Sequence, residues 1–394
     1  MRIVTVAGTR PELIKLAPLV PVLSSRFDHR YVFTGQHYSP LMVHELFGEH
    51  EVMPPDISLA TRSSDLDTLR SALSEALHKE EPDLVLVYGD TNSTLAAAQA
   101  AREVGAILIH IEAGVRSFDK TMVEERNRIE VDRLADLRLA PTPLSQWFLT
   151  HLEGFEHDGC PAVGNLVVDA WKRFGETAGQ VELPDGLALP QDYGLLTLHR
   201  PDTVDRPQRL QGLLDELGTL PMQVLFPVHP RTRDQIQALC VPANIQMLAP
   251  LPYPSFCLLL RSSSVVLTDS GGVQEEAATA RRPCVTLRPN TDRAESLLLG
   301  MNRLYEPGCR GHLSATVEQA IAQNSRFPDS QLAAMQCPYG DGRTAERIAV
   351  LLETLNGDKA SFEIPKAQGL AGFLELQDAV DFIEKQPRRL RVVG

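Results

Sequence analysis

Short apolar, β-branched runs alternate along the chain with longer segments whose apolar residues recur at helical spacing. Runs of this length predict buried parallel strands. They lie at 2–7, 31–34, 84–88, 106–111 and 137–141 in the first half, and at 193–198, 223–226, 264–268 and 284–287 in the second. Between them, helical segments such as the one carrying Leu13, Leu16 and Val20 on one face are amphipathic.

Two successive series of alternating strands and helices predict an α/β protein. We expect two doubly wound, Rossmann-like domains facing a central cleft, because 394 residues exceed one ordinary core. The first domain is placed at 1–168 and the second, nucleotide-binding domain at 169–343, with a linker at 175–192. An amphipathic helix at about 344–356 is expected to pack back on the first domain. The extension at 357–394 receives no functional assignment.

Polar clusters follow four strands of the predicted first domain. They lie at 8–12, 34–37, 89–94 and 112–116. In an open parallel sheet the carboxyl ends of the strands form the ligand crevice, so these clusters predict a site there.

The segment 264–280 predicts a phosphate-binding turn in the second domain. A buried strand runs into Ser270, Gly271 and Gly272, and a helix follows. Such a turn leaves backbone N–H groups uncovered at a helix N-terminus, where they bind phosphate. Glu276, one turn later, is placed to accept from a ribose diol. The alternative is a turn with glycine for geometry and glutamate for capping.

Composition narrows the class of protein. The net charge of −13 disfavours nucleic acid as a partner, and the 43% hydrophobic content is that of a soluble globular protein. No apolar run reaches the roughly 18 residues of a membrane span, and the N-terminus enters a strand with no signal-peptide layout. The six cysteines include no CxxC, which argues against a zinc site or disulfide framework and favours a cytoplasmic protein. No GxGxxG or P-loop follows a strand, so a tightly held NAD is not expected.

Several of the candidate residues could have a purely structural role instead of a functional one. Asp90 and Asp269 could cap helices. Glu112 with Arg116, and Glu124 with Arg128, could form i,i+4 ion pairs. Of the 11 histidines, seven have no motif context and are expected at the surface, whereas His199 and His229 end strands that face the predicted cleft.

Eight short motifs resemble one family and occur in its order. They are Gly8-Thr9-Arg10-Pro11-Glu12-Leu13-Ile14-Lys15, Thr34-Gly35-Gln36-His37, Gly89-Asp90-Thr91, Glu112-Ala113-Gly114-Val115-Arg116, Glu124-Glu125-Arg126-Asn127-Arg128, His199-Arg200, Pro227-Val228-His229, and 268–276. Across about 1–355 the chain resembles the non-hydrolysing UDP-N-acetylglucosamine 2-epimerases. It departs from the family at Val123, where a proline is usual, and at Asp202-Thr203, where Glu-Asn is usual. The stretch 61–69 also does not supply the glutamine-rich segment of the family's allosteric site.

The resemblance implies a GT-B fold, a homodimer, and interconversion of UDP-GlcNAc and UDP-ManNAc without cofactor, in polysaccharide biosynthesis. It implies that four residues are catalytic: Asp90, Glu112, Glu124 and His199. The substrate contacts that it implies are Arg10, Lys15, Arg128, Arg200, His229, Ser270, Gly271, Gly272, Glu276 and Arg293.

The implied chemistry needs several carboxylates. C2 of GlcNAc is not adjacent to a carbonyl, so its proton is not removed by simple enolisation. Loss of UDP from C1 with the C2 proton gives 2-acetamidoglucal, and UDP then re-adds with a proton on the opposite face. Bases near both faces and cations on the diphosphate are required.

Four alternatives stay open. A hydrolysing epimerase would release UDP and ManNAc, but its family members carry Gly-Asp-Arg where this chain has Gly89-Asp90-Thr91. Epimerases of UDP-diacetamido-uronates usually begin Gly-Ala-Arg-Pro-Gln. A GT-B glycosyltransferase would not need three acids from the first domain. An inactive nucleotide-sugar sensor would not need them either.

Overall fold

The computed structural model describes residues 1–36, 52–176, 183, 187–228, 230–308, 313–324 and 337–355. They form two compact units. Unit 1 comprises residues 1–173 with the described residues from 339 onward, and unit 2 comprises residues 174–338.

Unit 1 is built on a six-stranded parallel sheet with the strand order β3-β2-β1-β4-β5-β6. Its strands are β1 (Arg2–Ala7), β2 (Asp28–Phe33), β3 (Ile57–Ser58), β4 (Leu84–Tyr88), β5 (Ile107–Ile111) and β6 (Leu137–Leu139). Its helices are α1 (Arg10–Leu16), α2 (Leu19–Arg26), α3 (Leu66–Glu80), α4 (Asn92–Val104), α5 (Val123–Leu134), α6 (Pro143–Trp147), α7 (Leu166–Ala170) and α15 (Thr344–Glu353). Single turns of 3₁₀-helix (His157–Gly159) and π-helix (Phe148–Leu152) lie between α6 and α7, and a further π-helical turn (Trp171–Gly175) spans the boundary with unit 2.

Unit 2 repeats this topology with the order β12-β11-β10-β7-β8-β9. Its strands are β7 (Tyr193–Thr197), β8 (Gln223–Pro227), β9 (Ile245–Leu248), β10 (Val265–Thr268), β11 (Cys284–Thr286) and β12 (Asn302–Leu304). Its helices are α8 (Pro201–Val204), α9 (Pro207–Leu217), α10 (Pro230–Ile236), α11 (Tyr253–Ser262), α12 (Gly271–Thr279), α13 (Ala294–Leu298) and α14 (Leu313–Asn324).

Both sheets have the strand order of a Rossmann fold, so the predicted pair of Rossmann-like domains is confirmed. The central strands β4 and β5 are buried at every residue, as expected for strands covered on both faces. The order reverses between β1 and β4 in unit 1, and between β7 and β10 in unit 2. Ligands of open α/β sheets bind at such switch points, beyond the carboxyl ends of the strands.

The helix α15 lies in unit 1 although it is distant in sequence. Arg26 of α2 forms ion pairs with Glu346 (2.5 Å) and Glu353 (3.1 Å), and Asp169 accepts from the backbone N–H of Ala345 at 2.9 Å. None of the helices among the described residues has the length and apolar content needed to span a bilayer.

Three strands, β3, β9 and β12, were not predicted. Each lies at or next to the edge of its sheet and has a weak sequence signal. β3 is two residues long, β12 reads Asn-Arg-Leu, and Met247 in β9 is 50% exposed. An edge strand buries few residues, so its composition differs little from that of a loop.

Candidate functional site

Asp90 follows β4 at the switch point of unit 1. Gly89 has φ +73°, a left-handed turn that glycine adopts without strain, and Thr91 then caps α4. The Asp90 carboxylate accepts from the guanidinium of Arg128, which is fully buried. Arg128 also donates to Glu125 at 3.1 Å. Arg128, expected as a substrate contact, therefore lies against the Asp90 carboxylate.

Glu112 follows the neighbouring strand β5. Its φ of +72° is rare for a residue with a side chain and costs on the order of 1–3 kcal/mol, as is common at functional sites. The Nζ of Lys15 lies 3.1 Å from Glu112 Oε2, and the hydroxyl of Tyr88 donates to the same oxygen. Lys15 Nζ also lies 5.5 Å from the centre of the Tyr88 ring. All three side chains are buried, so Glu112 is held by two donors in a low-dielectric environment.

Glu12 is a buried carboxylate in the first turn of α1. Its Oε2 accepts from the backbone N–H groups of Gly8 (2.5 Å) and Thr9 (3.1 Å). Burial, with a smaller contribution from the charge of Asp90, raises the pKa of Glu12 to about 7. The hydrogen bonds from Gly8 and Thr9 act in the opposite direction. The partly exposed Arg10 begins the same helix. Glu12 belongs to the first of the eight motifs but was not among the predicted site residues.

The adjacent glutamates of α5 differ in environment. Glu125 is buried and accepts from the backbone N–H groups of Ser117 (2.9 Å) and Phe118 (3.0 Å). Glu124 is partly exposed at the first turn of the helix. Glu125 therefore holds the loop that precedes α5, and Glu124 is available to solvent.

In unit 2, Asp269 joins the ends of the neighbouring strands β7 and β10. It is fully buried and accepts from the backbone N–H groups of His199 (3.1 Å) and Arg200 (2.9 Å). Its Oδ1 also lies 3.1 Å from His199 Nδ1. Burial alone would raise the pKa of Asp269, but the charge of His199 and these hydrogen bonds keep it below its ordinary value. The half-exposed His199 ring is thus oriented by a buried carboxylate through Nδ1.

The predicted phosphate turn begins α12. Ser270 is the N-cap, with its hydroxyl accepting from the N–H of Val273 at 3.4 Å, and its own N–H donates to Thr268 Oγ1 at 2.9 Å. A Cβ at Gly271 would lie 3.4 Å from the Arg293 guanidinium carbon and 3.4 Å from Asp292 Oδ1. Glycine therefore leaves room between this turn and those side chains.

Buried arginines gather beside the turn. Arg293 forms ion pairs with Glu275 (2.6 Å) and Asp292 (2.9 Å). Arg288 at the end of β11 was not among the predicted contacts. Burial lowers its pKa to about 10, and the charges of Arg200 and Arg293 add to that effect. The guanidinium groups of Arg200, Arg288 and Arg293 thus lie close together, and guanidinium groups bind the oxygens of a diphosphate.

Glu276 lies in the second turn of α12. It is 8% exposed, and the hydroxyl of Tyr253 donates to its Oε1 at 2.8 Å. Burial, with the nearby thiol of Cys257 and the charge of Glu276, raises the pKa of Tyr253 well above its ordinary value. Tyr253 is thus a fixed donor to Glu276. Its position at the start of α11, distant in sequence from Glu276, gave no signal for this role.

The predicted residues therefore fall into two sets. Unit 1 brings together Asp90 with Arg128 and Glu112 with Lys15, and unit 2 gathers His199, Arg200, Arg293 and the 270–276 turn. The motif residues His37 and His229 lie outside the described residues. Tyr88, Arg288 and Tyr253 were missed as supporting residues. Tyr88 is the last residue of β4 and Arg288 follows β11. This position at a strand end was the sequence signal that could have identified them.

These arrangements match a known family. The family model described as UDP-N-acetylglucosamine 2-epimerase matches residues 23–353. The chain belongs to the UDP-N-acetylglucosamine 2-epimerase family. As a member of this family it is an isomerase.

Relatives in this family align along nearly their whole length. The UDP-N-acetylglucosamine 2-epimerase of Methanocaldococcus jannaschii is 33% identical over 371 residues, covering 89% of this chain and 99% of that protein. The UDP-2,3-diacetamido-2,3-dideoxy-D-glucuronate 2-epimerase of Pseudomonas aeruginosa is 35% identical over 366 residues, covering 90% and 100%. A crystal structure of the Methanocaldococcus jannaschii enzyme in complex with UDP-GlcNAc and UDP has a TM-score of 0.79, covering 90% of this chain and 99% of that chain. The GT-B fold class is thereby confirmed.

Proposed function

We propose that the protein is a non-hydrolysing UDP-N-acetylglucosamine 2-epimerase that interconverts UDP-GlcNAc and UDP-ManNAc. The observation that carries the proposal is a pair of carboxylates, each in contact with a cationic side chain, at the ends of two adjacent strands. Asp90 follows β4 with Arg128 as its cation, and Glu112 follows β5 with Lys15 as its cation. A carboxylate kept ionised by a buried cation is ready to accept a proton.

The carboxylates would transfer the protons of the two half-reactions. In elimination, one of them takes the C2 proton, the C1–O bond breaks, and UDP leaves as the C1–C2 double bond of 2-acetamidoglucal forms. In re-addition, the diphosphate oxygen bonds to C1 and C2 receives a proton on the opposite face. Glu124, partly exposed on the first turn of α5, supplies a third acid for this exchange.

The residues of unit 2 would hold the leaving group. Arg200, Arg293 and the N–H groups of the Ser270–Gly271–Gly272 turn bind the diphosphate, and Glu276 accepts from the ribose. His199, oriented by Asp269, stabilises charge on the departing diphosphate. By the family resemblance Arg10 and His229 are further contacts. No step requires a cofactor.

A second candidate is favoured by one specific observation, the 35% identity to a UDP-diacetamido-uronate epimerase. The same carboxylates would serve this reaction, because the bonds broken and formed at C1 and C2 are the same. We rank it second because this chain has Gly8-Thr9-Arg10-Pro11-Glu12 where those enzymes usually have Ala and Gln at the second and fifth positions.

Product analysis tests the proposal. The protein is incubated separately with UDP-GlcNAc and with the UDP-diacetamido-uronate, and products are separated by anion-exchange chromatography. The Asp90→Asn variant serves as the inactive control in both incubations. We expect UDP-ManNAc from UDP-GlcNAc as the faster reaction. Free ManNAc with stoichiometric UDP would establish the hydrolysing reaction instead, and faster turnover of the uronate would establish the second candidate.

We also propose that the enzyme acts as a cytoplasmic homodimer in polysaccharide biosynthesis. The family resemblance supports the dimer and the pathway, and scattered cysteines without a disulfide framework are typical of a reducing compartment. Light scattering during size-exclusion chromatography tests the dimer, since a monomer of 43.4 kDa would be distinguished at once from a pair.

A further inference from the structure

A buried ion cluster lies behind the two carboxylates of unit 1. His110, in the middle of β5, is 0% exposed. Its Nδ1 lies 2.6 Å from Asp132 Oδ1, and its Nε2 lies 2.8 Å from the carbonyl oxygen of Gly89. Asp132, in α5, is also 0% exposed.

The chemistry of these two partners determines where protons lie on the ring. A carbonyl oxygen only accepts, so Nε2 must carry a proton. An ionised carboxylate also only accepts, so Nδ1 must carry one as well. A neutral imidazole has a single N–H and cannot satisfy both contacts.

Asp132 has strong reasons to remain ionised. Its Oδ2 accepts from Arg116 at 2.5 Å and from the backbone N–H of Gly114 at 3.1 Å. Burial alone would raise the pKa of Asp132, but the charge of Arg116 and the hydrogen bond from it lower that pKa.

The other charges around the cluster come from the neighbouring elements. Arg138, beside His110 on β6, donates to the backbone carbonyl of Asp132 at 2.6 Å. Glu153, beyond the π-helical turn, accepts from Arg116 at 2.6 Å. The buried Asp132 therefore lies close to two arginines, Arg116 and Arg138, which favours its ionised form.

We propose that His110 is held as an imidazolium, with a proton on each ring nitrogen, that positions both catalytic carboxylates. Its Nε2–H holds the carbonyl of Gly89, the residue directly before Asp90. Through Asp132, its Nδ1–H fixes Gly114 and Arg116, in the turn directly after Glu112. One ion cluster thus sets the spacing of the two acids without touching substrate, and it is a positioning device. Only this kinetic part rests on the proposed function.

His29 provides a matched control within the same sheet. It is also buried, but its Nε2 lies 2.8 Å from Thr5 Oγ1 and its Nδ1 lies 3.0 Å from Ser24 Oγ. A hydroxyl can donate or accept, so a neutral ring satisfies both contacts. Burial lowers the pKa of His29 to about 4. His29 is therefore expected to be neutral where His110 is charged.

The charge is measured by long-range proton–nitrogen NMR on the full-length protein labelled with ¹⁵N-histidine, at the pH of the activity assay. His110→Gln and His29→Gln assign the two sets of signals. We expect both ring nitrogens of His110 to carry protons, and one protonated and one bare nitrogen for His29. A bare nitrogen on His110 would place the proton on Asp132 and overturn the proposal.

The positioning role is measured by kinetics. Asp132→Asn should remove the second proton of His110 and lower kcat by about tenfold or more, with KM for the UDP-sugar little changed, because small displacements of catalytic groups are costly. His29→Gln should keep kcat. An unchanged kcat in a folded Asp132→Asn protein that has lost the second proton would contradict the positioning role.

A second pair of variants covers the case in which Asp132→Asn does not fold. His110→Gln keeps one donor for the Gly89 carbonyl, whereas His110→Leu keeps none. The kcat of His110→Leu should therefore be lower than that of His110→Gln, and both should be lower than that of the wild-type protein. Equal kcat values in these two variants would contradict the role. A wild-type protein that turns over no UDP-sugar would refute the proposed function and with it the kinetic role, while the nitrogen spectrum decides the charge independently.

Discussion

The ammonium of Lys15 lies 3.1 Å from Oε2 of Glu112. Both residues are less than one-tenth exposed, so the pair is largely shielded from solvent screening. The resemblance assigned Lys15 to the nucleotide sugar and Glu112 to catalysis. We infer from the contact that Lys15, together with Tyr88, keeps the Glu112 carboxylate ionised and in place.

Replacing Lys15 by Met should lower kcat and leave UDP affinity within about threefold. Without the ammonium group, the buried Glu112 favours its neutral, protonated form. A protonated Glu112 cannot act as a base. We expect a loss of roughly 10²-fold, the lower range for a positioned acid or base. Steady-state kinetics and calorimetry with UDP measure the two effects, with the exposed Lys79→Met as a control. A tenfold loss of UDP affinity would return Lys15 to the nucleotide site.

Asp90→Asn, Glu112→Gln and Glu124→Gln should each lose at least about 10²-fold in epimerisation, because each amide keeps the shape but cannot accept a proton. The two half-reactions use opposite faces of C2, so the acids are not interchangeable. At least one variant should release UDP and 2-acetamidoglucal while forming little epimer. Anion-exchange analysis of folded variants measures this, and near wild-type epimerisation by all three would show that the site is misplaced.

The strand pattern predicted most of the fold because buried parallel strands have a strong sequence signal. Runs such as 84–88 contain only apolar and aromatic residues, and the structure has the same strand there. The signal fails at three of the four edge strands, such as β12 with the sequence Asn-Arg-Leu, whereas the buried edge strand β6 was predicted. Edge strands form through backbone pairing with one neighbour, which leaves side-chain composition almost unconstrained.

The site was only partly predictable, for a related reason. Position at a strand end identified Asp90, Glu112 and His199 as candidates. Their partners come from other elements, and the sequence carries no signal for such pairings. Arg128 was expected to pair with Glu124 along α5 or to contact substrate, yet it binds Asp90 and Glu125. Only the tertiary structure determines which carboxylate a buried guanidinium reaches.

Glu276→Ala should weaken UDP binding by about tenfold to hundredfold, since a hydrogen bond involving a charged group contributes roughly 1.5–3 kcal/mol. Tyr253→Phe should weaken it less, because the carboxylate remains and loses only a donor that orients it. Calorimetry with UDP measures both, with the exposed Glu318→Ala of the same unit as a control. Unchanged affinity in a folded Glu276→Ala protein would remove this stretch from the nucleotide site.

Glu12 should make unfolding free energy depend on pH. Its pKa is raised from 4.5 to about 7 in the folded state, so between these values the folded protein binds more protons than the unfolded chain. Stability then falls as pH rises through this window, by on the order of 3 kcal/mol from this group. In Glu12→Gln the side chain stays neutral and keeps an acceptor for Gly8 and Thr9.

Urea unfolding of the wild-type and Glu12→Gln proteins at several pH values between 4.5 and about 7 measures this contribution. The wild-type protein should lose stability relative to the variant as pH rises. If the unfolding free energies of the two proteins change in parallel with pH, the pKa of Glu12 is not raised.

The most direct test of the account is turnover of UDP-GlcNAc in D₂O, followed by proton NMR. Elimination and re-addition through carboxylates require the C2 proton to leave and a solvent-derived one to return. We therefore predict UDP-ManNAc with deuterium at C2, and deuterium entering the recovered UDP-GlcNAc as equilibrium is reached. UDP-ManNAc that retains its original C2 proton would contradict the proposed mechanism.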